Sequence, residues 1–343
     1  MSPLASSTPI GAFTPSTIAA INAALAQAGL AATTGNVFYC DPVNGLDTND
    51  GQTPATTPGG HGPVQTLQAG YNLLRSGYND VLVLIGNGAS TGSARLSATF
   101  TWAKNAAHLI GVCAPSAISQ RARIAPTLNI AGFANFFVVS GNGCLFQNLS
   151  WFHGFNVGVA AEICLTVSGE RNAFVNCDIE GMGDTSAGAG AADTGSRCIL
   201  LTGGGENFFK HCNVGLDTVT RTNANFTVEL KAGSPRNMFE DCTFLMYSGD
   251  GAQFVLSTAA AASFDRWVLF RNCIFINAVG SAATACNGVF KLTAASGGLV
   301  ILCGCTSVGF TYQADNDATT EALVYMGMAA PSQVGLKGVT ASS

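Results

Sequence analysis

Charge is what this chain has least of. Lysine, arginine, aspartate and glutamate together make up 10% of its 343 residues, against about a quarter in ordinary globular domains. The 15 basic residues are scattered one at a time and the net charge is -5. With no basic stripe to hold a phosphate backbone, direct nucleic-acid binding is not expected. No apolar run is long enough to cross a bilayer, and the opening MSPLASSTPIGAF has neither the basic start nor the apolar centre of a secretory leader, so no membrane span and no export signal are expected. No Cys-x-x-Cys pair occurs, and the four histidines stand at no zinc-like spacing. What fills the chain is apolar residues, 48%, and 41 glycines. Its surface must therefore be made largely of Ser, Thr, Asn, Gly and Ala, a surface suited to packing against other protein.

One phrase returns six times: CLFQNLSW at Cys144, NAFVNCDI at Asn172, NFFKHCNV at Asn207, NMFEDCTF at Asn237, VLFRNCIF at Val268 and VILCGCTS at Val300. In register, one apolar column holds Phe146, Phe174, Phe209, Phe239, Phe270 and Leu302; a second, three residues on, holds Leu149, Cys177, Cys212, Cys242, Cys273 and Cys305. The column between them, Asn148, Asn176, His211, Asp241, Asn272 and Gly304, collects the residue types most tolerant of a left-handed backbone. Such a residue bends the chain and restarts the strand at an angle, with the apolar neighbour on each side pointing inward. The phrase recurs after 28, 35, 30, 31 and 32 residues. A repeat of that length, made of strand and bend, predicts solenoid coils that cover one another's inner faces.

A second series of short β-branched and aromatic runs, among them ICLTVSG at Ile163, CILLTGG at Cys198, FTVELKAG at Phe226 and QFVLSTA at Gln253, falls between the phrases. Two or three strands per coil are the parts of a parallel β-helix. Over roughly residues 36–330 the pattern resembles the pectate-lyase-like right-handed single-stranded β-helix family. The resemblance implies an all-β fold with a short N-terminal helical cap or arm: residues 1–35 as arm and helix, 36–330 as the parallel β-helix, and 331–343 as a C-terminal tail. The arm carries a candidate helix from Pro15 to Ala31, with Thr14 as its cap; closing the open end of the solenoid and docking on a neighbouring subunit are equally open roles.

Twelve cysteines suggest a disulfide framework at first sight. Five of them share one ladder position, however, where each would face the next coil as a small buried hydrophobe, so reduced thiols and synthesis in a reducing cytosol are expected.

The segment VFYCDPVNGLDTNDGQTPATTPGG, followed by GPVQTLQAGYNLLRSGYNDVLVLIGNG, resembles the opening of many β-helix proteins, including tailspike and other phage proteins. It reads as a strand at Val37 to Cys40, a helix at about Val64 to Arg75 that buries Leu67 and Leu74 over the end of the solenoid, and a strand at Val81 to Ile85. Asp41, Asp47 and Asp50 are possible calcium ligands, but Asx turns explain the same residues and the EF-hand pattern is incomplete.

An insert from Gly181 to Arg197 interrupts the repeat. Asp178, Glu180, Asp184, Asp193, Arg171 and Arg197 lie near it, making it the natural place to look for carbohydrate chemistry. Glycosidases need two carboxylates at a fixed distance, and lyases of the resembling family combine acidic calcium ligands with a basic residue that takes a proton. The neighbourhood lacks lysine, tyrosine and histidine, and a contact loop is the favoured reading. No catalytic, cofactor-binding or metal-binding residue is nominated from the sequence, and no cofactor is implied.

With no site nominated, the resemblance to phage β-helix proteins implies a non-enzymatic phage structural protein, a capsid decoration or cement protein. It would be made in the host cytoplasm, carried on the virion as a homotrimer, and bound to the major capsid protein or another virion protein. The alternative is a tailspike or tail-fibre protein with polysaccharide-binding or depolymerase activity.

Overall fold

A computed structural model describes residues 35–113, 122–127, 132–154, 161–184, 194–248, 252–258, 265–278, 286–292, 298–315 and 323–326. Every strand pairing is parallel, and each coil contributes one strand to each of three sheets. Sheet 1 has ten strands, running from Val37–Cys40 through Leu145–Gln147, Phe208–Lys210, Asn237–Glu240, Arg266–Arg271 and Gly298–Cys303 to Leu323–Met326. Sheet 2, eight strands, follows each bend residue and includes Ser150–Phe152, Asp178–Glu180 and Thr243–Met246. Sheet 3, also eight strands, includes Ile163–Val167, Arg197–Thr202, Phe226–Lys231, Phe254–Thr258 and Cys286–Leu292. The chain is thus an all-β, right-handed parallel β-solenoid, as the repeat predicts.

The corner between sheets 1 and 2 is made as the sequence requires. Asn148, Asn176, His211, Asp241, Asn272 and Gly304 all have φ between 52° and 65°, the left-handed region that a branched side chain resists. On either side of the corner the chain points inward. Phe146, Phe174, Phe209, Phe239 and Phe270 form a continuous stack with centroid separations of 4.9, 4.6, 4.6 and 4.9 Å. Cys177, Cys212, Cys242, Cys273 and Cys305 are buried and free. Each thiol points to a phenylalanine carbonyl of the preceding coil, at 3.3–3.5 Å.

Between sheets 3 and 1 a different device closes the turn. The buried side chains of Asn172, Asn207 and Asn237 link successive coils: the Cys144 amide donates to Asn172 Oδ1 at 2.8 Å, the Asn172 amide to Asn207 Oδ1 at 3.0 Å, and the Asn207 amide to Asn237 Oδ1 at 3.0 Å. These amides satisfy backbone groups that the turns would otherwise bury without partners.

The first coil is covered by the helix Leu67–Leu73, shorter than the Val64–Arg75 expected. Thr66 accepts from the Ala69 amide and starts it, and the chain is already extended at Leu74. Leu67 and Leu74 are buried, as expected. Beyond the helix, Arg75 grips the buried Asp80 carboxylate with two bonds of 2.9 and 2.7 Å. The candidate helix from Pro15 to Ala31 and the tail 331–343 lie outside the described residues. Among the described residues no helix is long and apolar enough to cross a membrane.

Candidate functional site

Alternation within the sheet 3 strands decides which side chains face out. Cys198 and Ile199 both belong to the core, so the strand bends between them, and Arg197 and Leu200 fall outside it. Register then aligns Arg197 with Phe226 and Phe254, and Leu200 with Glu229, Ser257 and Lys291. Three of these outer side chains form a polar knot. Arg197 Nε donates to Glu229 Oε2 at 2.7 Å, its Nη1 donates to the Ser196 carbonyl at 2.9 Å, and its guanidinium lies 4.5 Å over the Phe226 ring.

Glu229 Oε1 accepts no hydrogen bond, and the half-exposed Lys231 brings its ammonium to 3.6 Å from it. Two strands from Glu229, the exposed Lys291 stands 5.4 Å over the Phe254 ring. Two cations, Arg197 and Lys231, therefore flank one carboxylate on an outer face that also carries two phenyl rings, with Lys291 two strands away. Glu229 itself is only 2% exposed. Its anchored oxygen is fixed by Arg197, while the other is buried with no hydrogen bond and faces the Lys231 ammonium.

Inside the same coils lies a second polar group. Arg221 is buried, with Nε donating to Asn225 Oδ1 at 2.6 Å and Nη1 to Thr227 Oγ1 at 2.9 Å. Burial pushes the Cys198 thiol up to about 11, with the Arg221 charge pulling the other way, and pushes Cys164 well up, reinforced by Cys198 and Glu180. These thiols stay protonated and inert at neutral pH. Nearby, His153 and Glu162 are both buried with Nε2 and Oε2 3.6 Å apart, and burial holds the imidazole down at about 3.

The residues grouped around the 181–197 insert do not form one site. Asp178 and Glu180 are buried on sheet 2, where Asn213 Nδ2 donates to Asp178 at 2.8 Å. Arg171 sits at the turn into sheet 1 and pairs with Glu170 and Glu206. Asp193 lies outside the described residues. Only Arg197 reaches the outer cluster, and its partner there, Glu229, was not singled out in the sequence. A signal existed: in FTVELK the period-2 alternation places Glu229 and Lys231 on the same side of the strand.

The acidic opening loop is held by its own turns. Asp41 accepts from the Val43 and Asn44 amides at 2.9 and 3.0 Å, Asp47 from the Gln65 and Thr66 amides at 2.8 and 2.7 Å, and Asp50 from the Gln52 amide at 3.0 Å. Among the described residues no three His, Cys, Asp or Glu side chains converge as a metal site. His108 Nδ1 accepts the Leu145 amide at 3.0 Å, and the buried Trp102 indole donates to the Ala107 carbonyl at 3.1 Å, so both are held in the fold.

No protein-family model matches the chain, and no curated protein does. Among solved structures it is similar to the pectate lyase Pel9A, with a TM-score of 0.53, 15% identity and coverage of 79% of this chain and 62% of that one. This chain thus spans less than two thirds of that enzyme's length. It is also similar to the pectin methylesterase PemA from Erwinia chrysanthemi, with a TM-score of 0.50, 13% identity and coverage of 86% and 94%. ORF18 of Geobacillus virus E2 follows at 0.49, 14% identity and coverage of 76% and 47%. At these identities the likeness is one of fold: a pectate-lyase-like right-handed parallel β-solenoid.

These findings correct the sequence-based expectation of a non-enzymatic capsid decoration or cement protein. The solved structures at a TM-score of 0.50 or above include a pectate lyase and pectin methylesterases. Arg197 and Glu229 stand 32 positions apart, so no local motif in the sequence announces their pairing.

Proposed function

We propose that the protein is a carbohydrate-active enzyme that cleaves an acidic polysaccharide by β-elimination on the outer face of sheet 3. The observation that carries this reading is Glu229, with one oxygen clamped by Arg197 and the other unbonded beside Lys231. Lys231 turns from Glu229 Oε1, which it covers in this structure, to hold the carboxylate of a uronate unit with Lys291; the uncovered Glu229 Oε1 takes the proton from the carbon next to that carboxylate. The electron pair of that C–H bond forms the new carbon–carbon double bond. The bond to the leaving sugar's oxygen breaks, and that oxygen takes a proton from water.

Hydrolysis fits the cluster less well, because it requires a second carboxylate about 5–9.5 Å away. The next acidic position on that row is Asp315, in register with Lys291 and three strands from Glu229, about 14 Å along the sheet at roughly 4.8 Å per strand. The pectate lyase of similar fold supports the reaction class as an analogy.

Incubation with polygalacturonate and with host capsular polysaccharide should yield products that absorb as unsaturated uronates, and Glu229→Gln should lower the rate by at least 100-fold while leaving the fold intact. Reducing ends without unsaturation would replace elimination with hydrolysis, and no new ends on any acidic polysaccharide would overturn the reading. Two further parts of the proposal concern setting. The phage-like opening phrase supports a tailspike or tail-fibre location, read by the presence of the chain in purified particles. The sparse surface charge supports a homotrimer, read by light scattering against the 35.0 kDa chain.

A further inference from the structure

We infer that the outer face of sheet 1 is where copies of this chain join, side by side, with their solenoids parallel and coils of equal height in contact. The face presents three outward columns in register. Its middle column holds the half-buried apolar side chains of Phe208, Met238, Leu269 and Ile301 in successive coils. Two residues earlier, on the turn side, stand Glu206, Arg236, Trp267 and Leu299. Two residues later, on the corner side, stand Lys210, Glu240, Arg271 and Cys303. Depressions of about 480 and 160 Å³ lie over Met238 and over Leu269, so the side chains of a partner have room to enter. An apolar middle between charged margins, with Trp, Met and Arg together, is how protein–protein contacts are built.

The margins decide which protein fits. Within the subunit Glu206 is bridged by Arg171 at 2.8 Å and Arg236 at 2.6 Å, and Glu240 by Lys210 at 2.7 Å and Arg271 at 3.2 Å. Glu170 beside Arg171, and Asp241 at the corner, bring these margins into charge balance, so like faces meet without net repulsion. Level by level, however, the two margins are complementary. Glu206 stands across from Lys210 in one coil, Arg236 from Glu240 in the next, Trp267 from Arg271 in the third and Leu299 from Cys303 in the fourth. In a closed ring whose axis runs along the solenoids, the turn side of one copy meets the corner side of the next at the same height. Every level then joins groups that attract: two ion pairs, a guanidinium on an indole, and a leucine on a thiol. Each charge keeps its bonds within its own subunit, so none is buried unpaired. An unrelated partner would have to reproduce this alternation coil by coil, whereas a second copy carries it already. The outer face of sheet 3, with Glu229, stays open.

The inference rests on the homotrimer reading and adds the face and the orientation to it; the test separates the two. Cys303, half-buried on this face, is a native probe, because the partner subunit's Leu299 should stand against it. Sheets packed face to face lie about 10 Å apart, too far for a disulfide, so a short bismaleimide is the reagent. With Leu299→Cys it should join each chain to Cys303 of the next copy, and the covalent product should stop at three chains. Within one subunit the same two positions lie about 13 Å apart along the strand, beyond the reagent's reach. Adding Cys303→Ser should abolish the product. Met238→Lys should lower the mass seen by light scattering to that of the single 35.0 kDa chain, and Met238→Leu should leave it assembled; where the lysine variant fails to fold, the cross-link carries the test. A product that stops at two chains keeps the face and replaces the three-fold count. An assembled wild type with no cross-link through Leu299→Cys, or with its mass unchanged by Met238→Lys, overturns the face and leaves the oligomer standing. A monomeric wild type overturns both.

Discussion

Phe174 and Phe209 stack 4.6 Å apart with their ring planes 4° from parallel, although 35 residues of chain separate them. The pair is the centre of the interior stack, with no polar atom between the rings. Phe209→Ala should cost about 3–5 kcal/mol by leaving a cavity between two rings that cannot close on each other. Phe209→Leu should cost clearly less. Chemical denaturation of the two variants checks the order.

At the corner, Asn176 holds φ at 59°. Asn176→Val should lose about 1–2 kcal/mol to backbone strain, and Asn176→Gly should lie near the wild type. Equal losses in both would move the cause from the backbone to the amide's contacts.

His153 is buried and neutral, with its pKa held at about 3 against 6.5 in the unfolded chain. Below pH 6.5 the unfolded chain binds a proton that the folded chain refuses. Stability is therefore unaffected above that pH and falls as the pH drops toward 3, by about 3 kcal/mol at pH 4. Glu162 at 3.6 Å softens this but does not reverse it, since burial is the larger effect. His153→Gln should flatten the pH dependence of the denaturation midpoint between 6.5 and 4.

Asp80 behaves in the complementary range. The Arg75 guanidinium holds its carboxyl at about 2, below the usual 3.8, so this contribution is complete above pH 3.8 and is lost as the pH falls through 2. Arg75 is half exposed, which limits the contribution to about 1–2 kcal/mol. Asp80→Asn should remove it, as measured by acid titration of the folded signal.

The eleven described cysteines are free, and nine of them are buried. Burial raises the Cys212 and Cys242 thiols, and the hydrogen bond from each to the sulfur of the preceding coil reinforces the shift. A thiol reagent should leave Cys177, Cys212, Cys242, Cys273 and Cys305 unlabelled in the native protein and label them fully after denaturation. Mass spectrometry of the labelled peptides reads this residue by residue.

The solenoid was legible because each coil puts the same demand on the same position, so Phe146, Asn148 and Leu149 announce a column that the later coils confirm. The ladder of Asn172, Asn207 and Asn237 stands in the same repeated phrase but escaped notice, since an asparagine before a strand looks like any turn residue until its amide is seen crossing to the next coil. The Arg197–Glu229 pair was harder. Neither residue belongs to a repeated column, and only the bend between Cys198 and Ile199 puts Arg197 on the outer face.

The strand pairing also has a mechanical consequence. Each coil is bonded through its sheets to the coil before and the coil after, with the hydrogen bonds lying along the long axis. Tension between the two ends loads the coil interfaces in series, so the whole rod is only as strong as its weakest junction, whereas a sideways push is shared among many. Ring stacking continues to Phe270, and the next position inward is Leu302. Under an axial pull the coils stacked from Phe146 to Phe270 should hold longest, and rupture should start outside them, as at the two-residue pairing of Leu109 and Ile110 with Phe146 and Gln147.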